Sequence, residues 1–198
     1  MGIEVREDSA AALAEYARVP IAFEVRETFE VAARDDGRDG FILTTRRLGV
    51  PYVKDYDAIE SESPAHWGER FDVSHWQFLA AYSEGVRVGG AAVAFDTASI
   101  DLLEGRTDLA VLWDIRVAPE ARGRGVGSAL FRAAEAWAAA RGCRQLKIET
   151  QNINVPACKF YARQGCELRA VNRFAYPDFP HEVQLLWHKD LSCDARAR

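Results

Sequence analysis

Apolar residues change their rhythm along this chain, from alternation to helical spacing and back. "FEVRETFEVAA" (residues 23–33) alternates and predicts a strand, with "RDDGRDG" as the turn after it. Residues 51–71, "PYVKDYDAIESESPAHWGERF", are polar, acidic and carry prolines. They predict a long loop with one helical turn. Residues 75–97 hold two apolar runs about Ser83-Glu84-Gly85, the pattern of a hairpin. "LEGRTD" predicts a further turn, and residues 109–118 a third strand of the same meander.

Beyond residue 118 the spacing becomes helical. Val126, Leu130, Ala133, Ala134 and Trp137 share one face over 126–142, and Gly142 ends that helix. Residues 143–151 predict a strand. A short helix follows, with Asn154 as N-cap, Pro156 in the first turn and Gly165 at its end. Residues 166–176 and 181–191 predict two last strands around "PDFP". Antiparallel strands followed by strand–helix–strand–helix–strand–strand imply an α/β (α+β) fold. Its mixed central sheet has one parallel pair at the crossover helix.

The 198 residues fit a single domain, and 48% hydrophobic residues suffice for a core. The net charge of −5 argues against unspecific nucleic-acid binding. Cys143, Cys158, Cys166 and Cys193 lack paired metal spacing, which points to reduced packing thiols and to no metal. The first twenty residues are too polar for a signal peptide, and no apolar run approaches membrane length. The expectation is a soluble, cytoplasmic protein with no nucleic-acid or membrane partner.

One stretch asks for more than packing. "APEARGRGVGSAL" places three glycines and two arginines directly before the alanine-rich helix. Glycines weaken a helix but let a backbone curl and turn its N–H groups toward an anion. A P-loop needs lysine before the serine, and Gly127-Ser128 has none. A dinucleotide fingerprint nearly fits Gly123-x-Gly125-x-x-Ser128, with Glu149 about 20 residues on. Its glycines, however, should follow the strand at once, and five residues intervene.

The stretch from "DIRVAPEARGRGVGSALF" to "NVPACKFYARQGCEL" resembles the GNAT superfamily of acyl-CoA N-acetyltransferases. The resemblance rests on Val117-Ala-Pro, on Arg122-x-x-Gly125-x-Gly127, and on Asn154-x-x-Ala157-x-x-Phe160-Tyr161-x-x-x-Gly165. "PYVKDY" and "YPDFPHEVQLLWHKDL" are similar to its streptothricin acetyltransferase branch. The resemblance implies a GNAT domain over 1–198, with a variable region 1–35 and an acyl-CoA-binding core 109–167. It implies acetyl-CoA as donor, a direct transfer with no covalent enzyme intermediate, and a small-molecule amine as acceptor, a cationic streptothricin-like antibiotic among the candidates. Homodimers occur in the family, and no feature of the sequence names such an interface. A non-catalytic acyl-CoA-binding module on the same fold is the alternative.

Site roles follow from the same resemblance. Main-chain groups of Ile115 and Val117 would pair with the pantetheine arm, as a peptide adds to a sheet edge. Backbone amides of Arg122, Gly123, Arg124, Gly125, Val126, Gly127 and Ser128 would hold the pyrophosphate, with Arg122 or Arg124 adding charge. Asn154 would both cap its helix and meet the cofactor arm. Tyr161 would protonate the departing thiolate. An ammonium acceptor must also lose a proton, and Asp114 and Glu149 both stand open as the base. The acids Asp55, Asp57, Glu60 and Glu62 form either a solvated face or a collector of cationic amines.

Overall fold

The computed structural model describes residues 2–59 and 62–192. Its main sheet has the strand order β1-β4-β5-β6-β7-β9-β8, and β2 and β3 form a separate two-stranded sheet. The strands are β1 (Ile3–Asp8), β2 (Phe23–Ala33), β3 (Phe41–Lys54), β4 (Gln77–Ser83), β5 (Val86–Ala94), β6 (Leu109–Val117), β7 (Gln145–Gln151), β8 (Glu167–Asn172) and β9 (Gln184–Asp190). The helices are α1 (Leu13–Tyr16), α2 (Trp67–Arg70), α3 (Val126–Ala140) and α4 (Val155–Arg163). Strand β6, helix α3 and strand β7 make the crossover, and β6 and β7 are the parallel pair in a mostly antiparallel sheet. The mixed α/β architecture is therefore the one expected. By its contacts the chain divides into two compact units: residues 1–22, 55–147 and 190–198, and residues 23–54 and 148–189.

In the first unit β1, β4, β5 and β6 form an antiparallel meander. The turn at Glu84-Gly85 has positive φ at both residues, the conformation of a tight hairpin. Helix α3 lies on β4, β5 and β6 and buries Val126, Leu130, Phe131, Ala134, Trp137 and Ala138. Two adjacent glycines of β5 serve opposite faces. A Cβ on Gly89 would stand 2.8 Å from Arg116 O and 3.1 Å from Val126, and one on Gly90 would stand 2.5 Å from the Tyr16 ring. Side chains at either position would push apart what packs there. The Tyr16 face carries an aromatic core of Tyr16, Trp67, Trp76 and Phe78, flanked by Phe71 and Trp113. Short α1 and α2 owe their place to these rings rather than to helix propensity.

In the second unit β2 and β3 pair antiparallel along most of their length. Residues 51–54, expected in a loop, instead complete β3. Tyr52 pairs with Val25 and Arg47 with Glu27, so residues 48–51 bulge out of the ladder. Pro51 is tolerated there because no ladder N–H is needed. β3 is largely exposed and β1 alternates only weakly, so neither showed a hydrophobic pattern. Asn152 knits this unit: it exchanges bonds with Phe29 and with Val183. A buried Lys54–Glu182 ion pair of 2.6 Å, with the ammonium 3.7 Å from the Phe179 ring centroid, fixes the end of β3. Cys143, Cys158 and Cys166 are buried free thiols, as expected. Glu60 and Cys193 lie outside the described residues.

Candidate active site

Strand β6 carries a bulge. Ala92 pairs with Asp114 and Val93 with Leu112, so Trp113 is the extra residue. Regular pairing resumes at Ile115 and Val117, opposite Ala91 and Gly89. One tight turn, Pro119–Ala121, then leads into the glycine loop. Gly123 has φ +75° and Gly125 φ +89°, and Gly125 is the N-cap of α3. L side chains rarely adopt these angles, which explains glycine at both positions. The first helical bond of α3 runs from Ala129 N to Gly125 O. The amides of Val126 and Gly127 precede it and have no carbonyl one turn back. The positive end of a fifteen-residue helix therefore opens at this loop.

The two loop arginines differ. Arg122 donates from Nε to Val117 O at 3.0 Å and from Nη2 to Ala22 O at 3.1 Å. Its guanidinium thus ties the loop to β6 and to the residue before β2. Arg124 is exposed and, among the described residues, makes no hydrogen bond or ion pair. It is the better placed to meet a phosphate.

Asp114 is closed in. Its Oδ1 accepts from Tyr16 OH at 2.6 Å and from Arg116 Nε at 3.0 Å, and its Oδ2 from Arg116 Nη2 at 2.7 Å. Its side chain is 6% exposed and that of Arg116 is 1% exposed. Asp57 joins the same guanidinium at 2.8 Å. Burial disfavours the charge on Arg116, but Asp114 and Asp57 outweigh it and raise its pKa. Burial, and after it the Asp114 charge, raises the Tyr16 phenol well above its ordinary pKa. Asp-x-Arg in a strand puts both side chains on one face, so this pair had a sequence signal that went unused. Tyr16 had none.

The acidic loop is accordingly less free than its composition suggested. Glu62 pairs with Arg70 at 2.9 Å, Asp57 with Arg116, and Asp55 accepts from Asp57 N.

In the second unit Glu149 is held by neutral donors. Tyr176 OH donates to Oε1 at 2.6 Å and Gln184 Nε2 to Oε2 at 2.7 Å. Gln151 Nε2 donates to the Tyr176 oxygen at 2.9 Å. Tyr176 and Gln184 come from the chain after α4 and carried no local signal. Asn154 caps α4 as expected, accepting from Ala157 N at 3.2 Å. Tyr161 follows on the buried face with Val155 and Cys158, is 5% exposed, and meets the Phe160 ring edge-on at 5.2 Å. The described residues contain no cluster of metal-ligating side chains. No helix among them is long and apolar enough to cross a membrane.

The family model of the Acetyltransferase (GNAT) family matches residues 46–166. A streptothricin acetyltransferase of Escherichia coli is 33% identical over 171 residues, 84% of each chain. One from Streptomyces lavendulae is 28% identical over 172 residues, 87% of this chain and 85% of that one. Among solved structures, a nourseothricin acetyltransferase superposes with TM-score 0.75 at 25% identity, over 96% of this chain and 99% of that one. A Bacillus anthracis protein described as a putative streptothricin acetyltransferase, solved with acetyl coenzyme A, has the same score, the same coverage and 21% identity, and shares the fold. The family match and the streptothricin acetyltransferase relatives define the class: an acetyl-CoA-dependent N-acetyltransferase. The chain belongs to the GNAT acetyltransferase family.

Proposed function

We propose that this enzyme acetylates a primary amine of a small cationic molecule of the streptothricin kind. The similarity to streptothricin acetyltransferases over 84% of each chain carries this reading. The same reading places the enzyme in the cytoplasm, where acetyl-CoA is at hand.

The residues present suit the donor. The αL glycines, the unmatched amides at the start of α3 and the unpaired Arg124 would hold the pyrophosphate. Ile115 and Val117 would offer main-chain groups to the pantetheine arm, and Asn154 a further contact. Acetyl-CoA supplies the acetyl group as a thioester. Tyr161 donates its phenolic proton to the departing sulfur. Of the two candidate bases, we assign Glu149. Among the described residues its two oxygens accept only from neutral donors, whereas both oxygens of Asp114 accept from the Arg116 cation, one of them also from Tyr16. Glu149 takes a proton from the acceptor ammonium, directly or through water, and the neutral amine attacks.

The test is an acceptor panel read by thiol release: streptothricin, a simple monoamine and a peptide with an N-terminal alanine. The reading expects kcat/KM for streptothricin to exceed both others by at least about 100-fold. Preference for the peptide would overturn it.

A further inference from the structure

Glu149 and Gln151 stand two residues apart on β7, so their side chains share one face of the sheet. The loop between β8 and β9, residues 173–183, brings Tyr176 to both. A phenol has one proton, and its oxygen can also accept a hydrogen bond. Here Gln151 Nε2 donates to the Tyr176 oxygen at 2.9 Å, and the hydroxyl proton goes to Glu149 Oε1 at 2.6 Å. That is the short length usual for a hydroxyl donating to a carboxylate. Gln184 Nε2 reaches the other oxygen from β9 at 2.7 Å. Both oxygens of Glu149 are thus oriented, one of them by a two-step chain whose direction Gln151 sets.

The loop has supports of its own, all within the second unit. At its start Arg173 Nη2 donates to Val31 O at 2.6 Å, and Phe174 N to Asn172 Oδ1 at 2.9 Å. Further on, Phe179 N donates to Tyr176 O at 3.0 Å, and Glu182 N to Phe179 O at 2.8 Å. Lys54 holds both Glu182, as its ion pair, and the Phe179 ring. None of these bonds uses the Tyr176 hydroxyl. Removing that one oxygen leaves these anchors in place.

We propose that Tyr176 is a positioning residue for the base: its hydroxyl, aimed by Gln151, holds the Glu149 carboxylate in the orientation in which it takes the acceptor's proton. The proposal rests on the assignment of Glu149 as base under the acetyltransferase reading above. Tyr176 is not among the groups assigned to acetyl-CoA, so its loss falls on turnover and not on donor binding. It acts only through Glu149. Once Glu149 can no longer take a proton, its orientation ceases to matter, and the hydroxyl contributes nothing further.

The experiment is a double-mutant cycle of Tyr176→Phe and Glu149→Gln, with Gln151→Leu beside it. Single-turnover rates are measured with saturating acetyl-CoA and the fastest acceptor of the panel above. Tyr176→Phe keeps the ring and lowers the rate about tenfold, a loss of orientation, while the acetyl-CoA KM stays within about twofold. Gln151→Leu leaves the hydroxyl but not its direction and costs about threefold. Glu149→Gln alone is slower by about 100-fold or more. In that background Tyr176→Phe and Gln151→Leu each change the rate by less than about twofold, because their effect passes through Glu149. Gln151→Leu keeps the test open should Tyr176→Phe fail to fold. A native rate in Tyr176→Phe would overturn the proposal. So would a further tenfold loss on adding it to Glu149→Gln, which is what a purely structural role produces. Both outcomes leave the base assignment standing. A native rate in Glu149→Gln would overturn that assignment and the proposal with it, so the two failures are told apart.

Discussion

Asp114 and Glu149 are both acids within central strands, and they have met opposite fates. Asp114, in the first unit, faces a permanent cation and a buried phenol, and both its oxygens are spent on them. Glu149, in the second unit, is bracketed by a phenol and an amide that bring no charge. A carboxylate paired with arginine inside a protein is a structural element, because releasing it leaves a buried cation uncompensated. One oriented by neutral donors is not tied to a buried countercharge. Residue type and strand position did not separate the two; their partners do.

The sharpest way to break this comparison is to neutralise each acid in turn. Glu149→Gln should lower kcat by about 10²- to 10⁴-fold, the usual contribution of a general base, with melting temperature little changed. Asp114→Asn should do the reverse. It should cost about 3 kcal/mol by loosening a buried pair, the low end of the range because Asp57 remains on Arg116. That corresponds to roughly 6–12 °C in melting temperature for a chain of this size. Turnover per folded molecule should stay within about fivefold. The opposite pattern, measured by steady-state kinetics and calorimetry, would make Asp114 the base.

Tyr161→Phe removes the assigned acid and keeps the ring. We expect kcat to fall by about 10²-fold with acetyl-CoA affinity unchanged. Near-native turnover under chemistry-limited conditions would return Tyr161 to packing alone.

Gly125→Val tests the loop of the first unit against the chemistry of the second. At φ +89° a β-branched residue is strained, and on the proposed cofactor role a side chain would sit where the amides would approach the pyrophosphate. Titration calorimetry should show acetyl-CoA affinity down by about 100-fold, with circular dichroism unaltered. Full affinity would remove the loop from the cofactor site.

The smallest effect is in alkaline pH. Burial pushes the Cys158 thiol up to about 11 and the Tyr16 phenol well above its ordinary value. Each is neutral when protonated, so the unfolded chain loses these protons first as pH rises. The thiol's contribution is intact below its unfolded pKa and is lost between about pH 9 and 11, whereas that of the Tyr16 phenol begins to be lost only above its ordinary value near 10. Stability should decline over that window by up to about 2 kcal/mol for the thiol, and Cys158→Ala should flatten that part of the decline. Chemical denaturation from pH 8 to 10.5 measures both.

The alternating run 75–97, the helical spacing of 126–142, the capping Asn154 and the glycine loop are short-range patterns, and the structure repeats each of them almost residue for residue. So is the family motif, because a turn that admits only glycine and a helix that must start there leave a local mark. β1 and the full length of β3 left none, since an exposed or bulged strand needs no hydrophobic period. The partners of Asp114, Glu149 and Arg116 were not legible either. What a buried charge does depends on what is brought against it, and here that comes from Tyr16 and Arg116 for one acid and from Tyr176 and Gln184 for the other. Those partners lie up to 98 residues away along the chain. Local sequence determined where the backbone turns, curls and caps; only the tertiary structure decided which acid is locked in an ion pair and which is held by neutral hydrogen-bond donors.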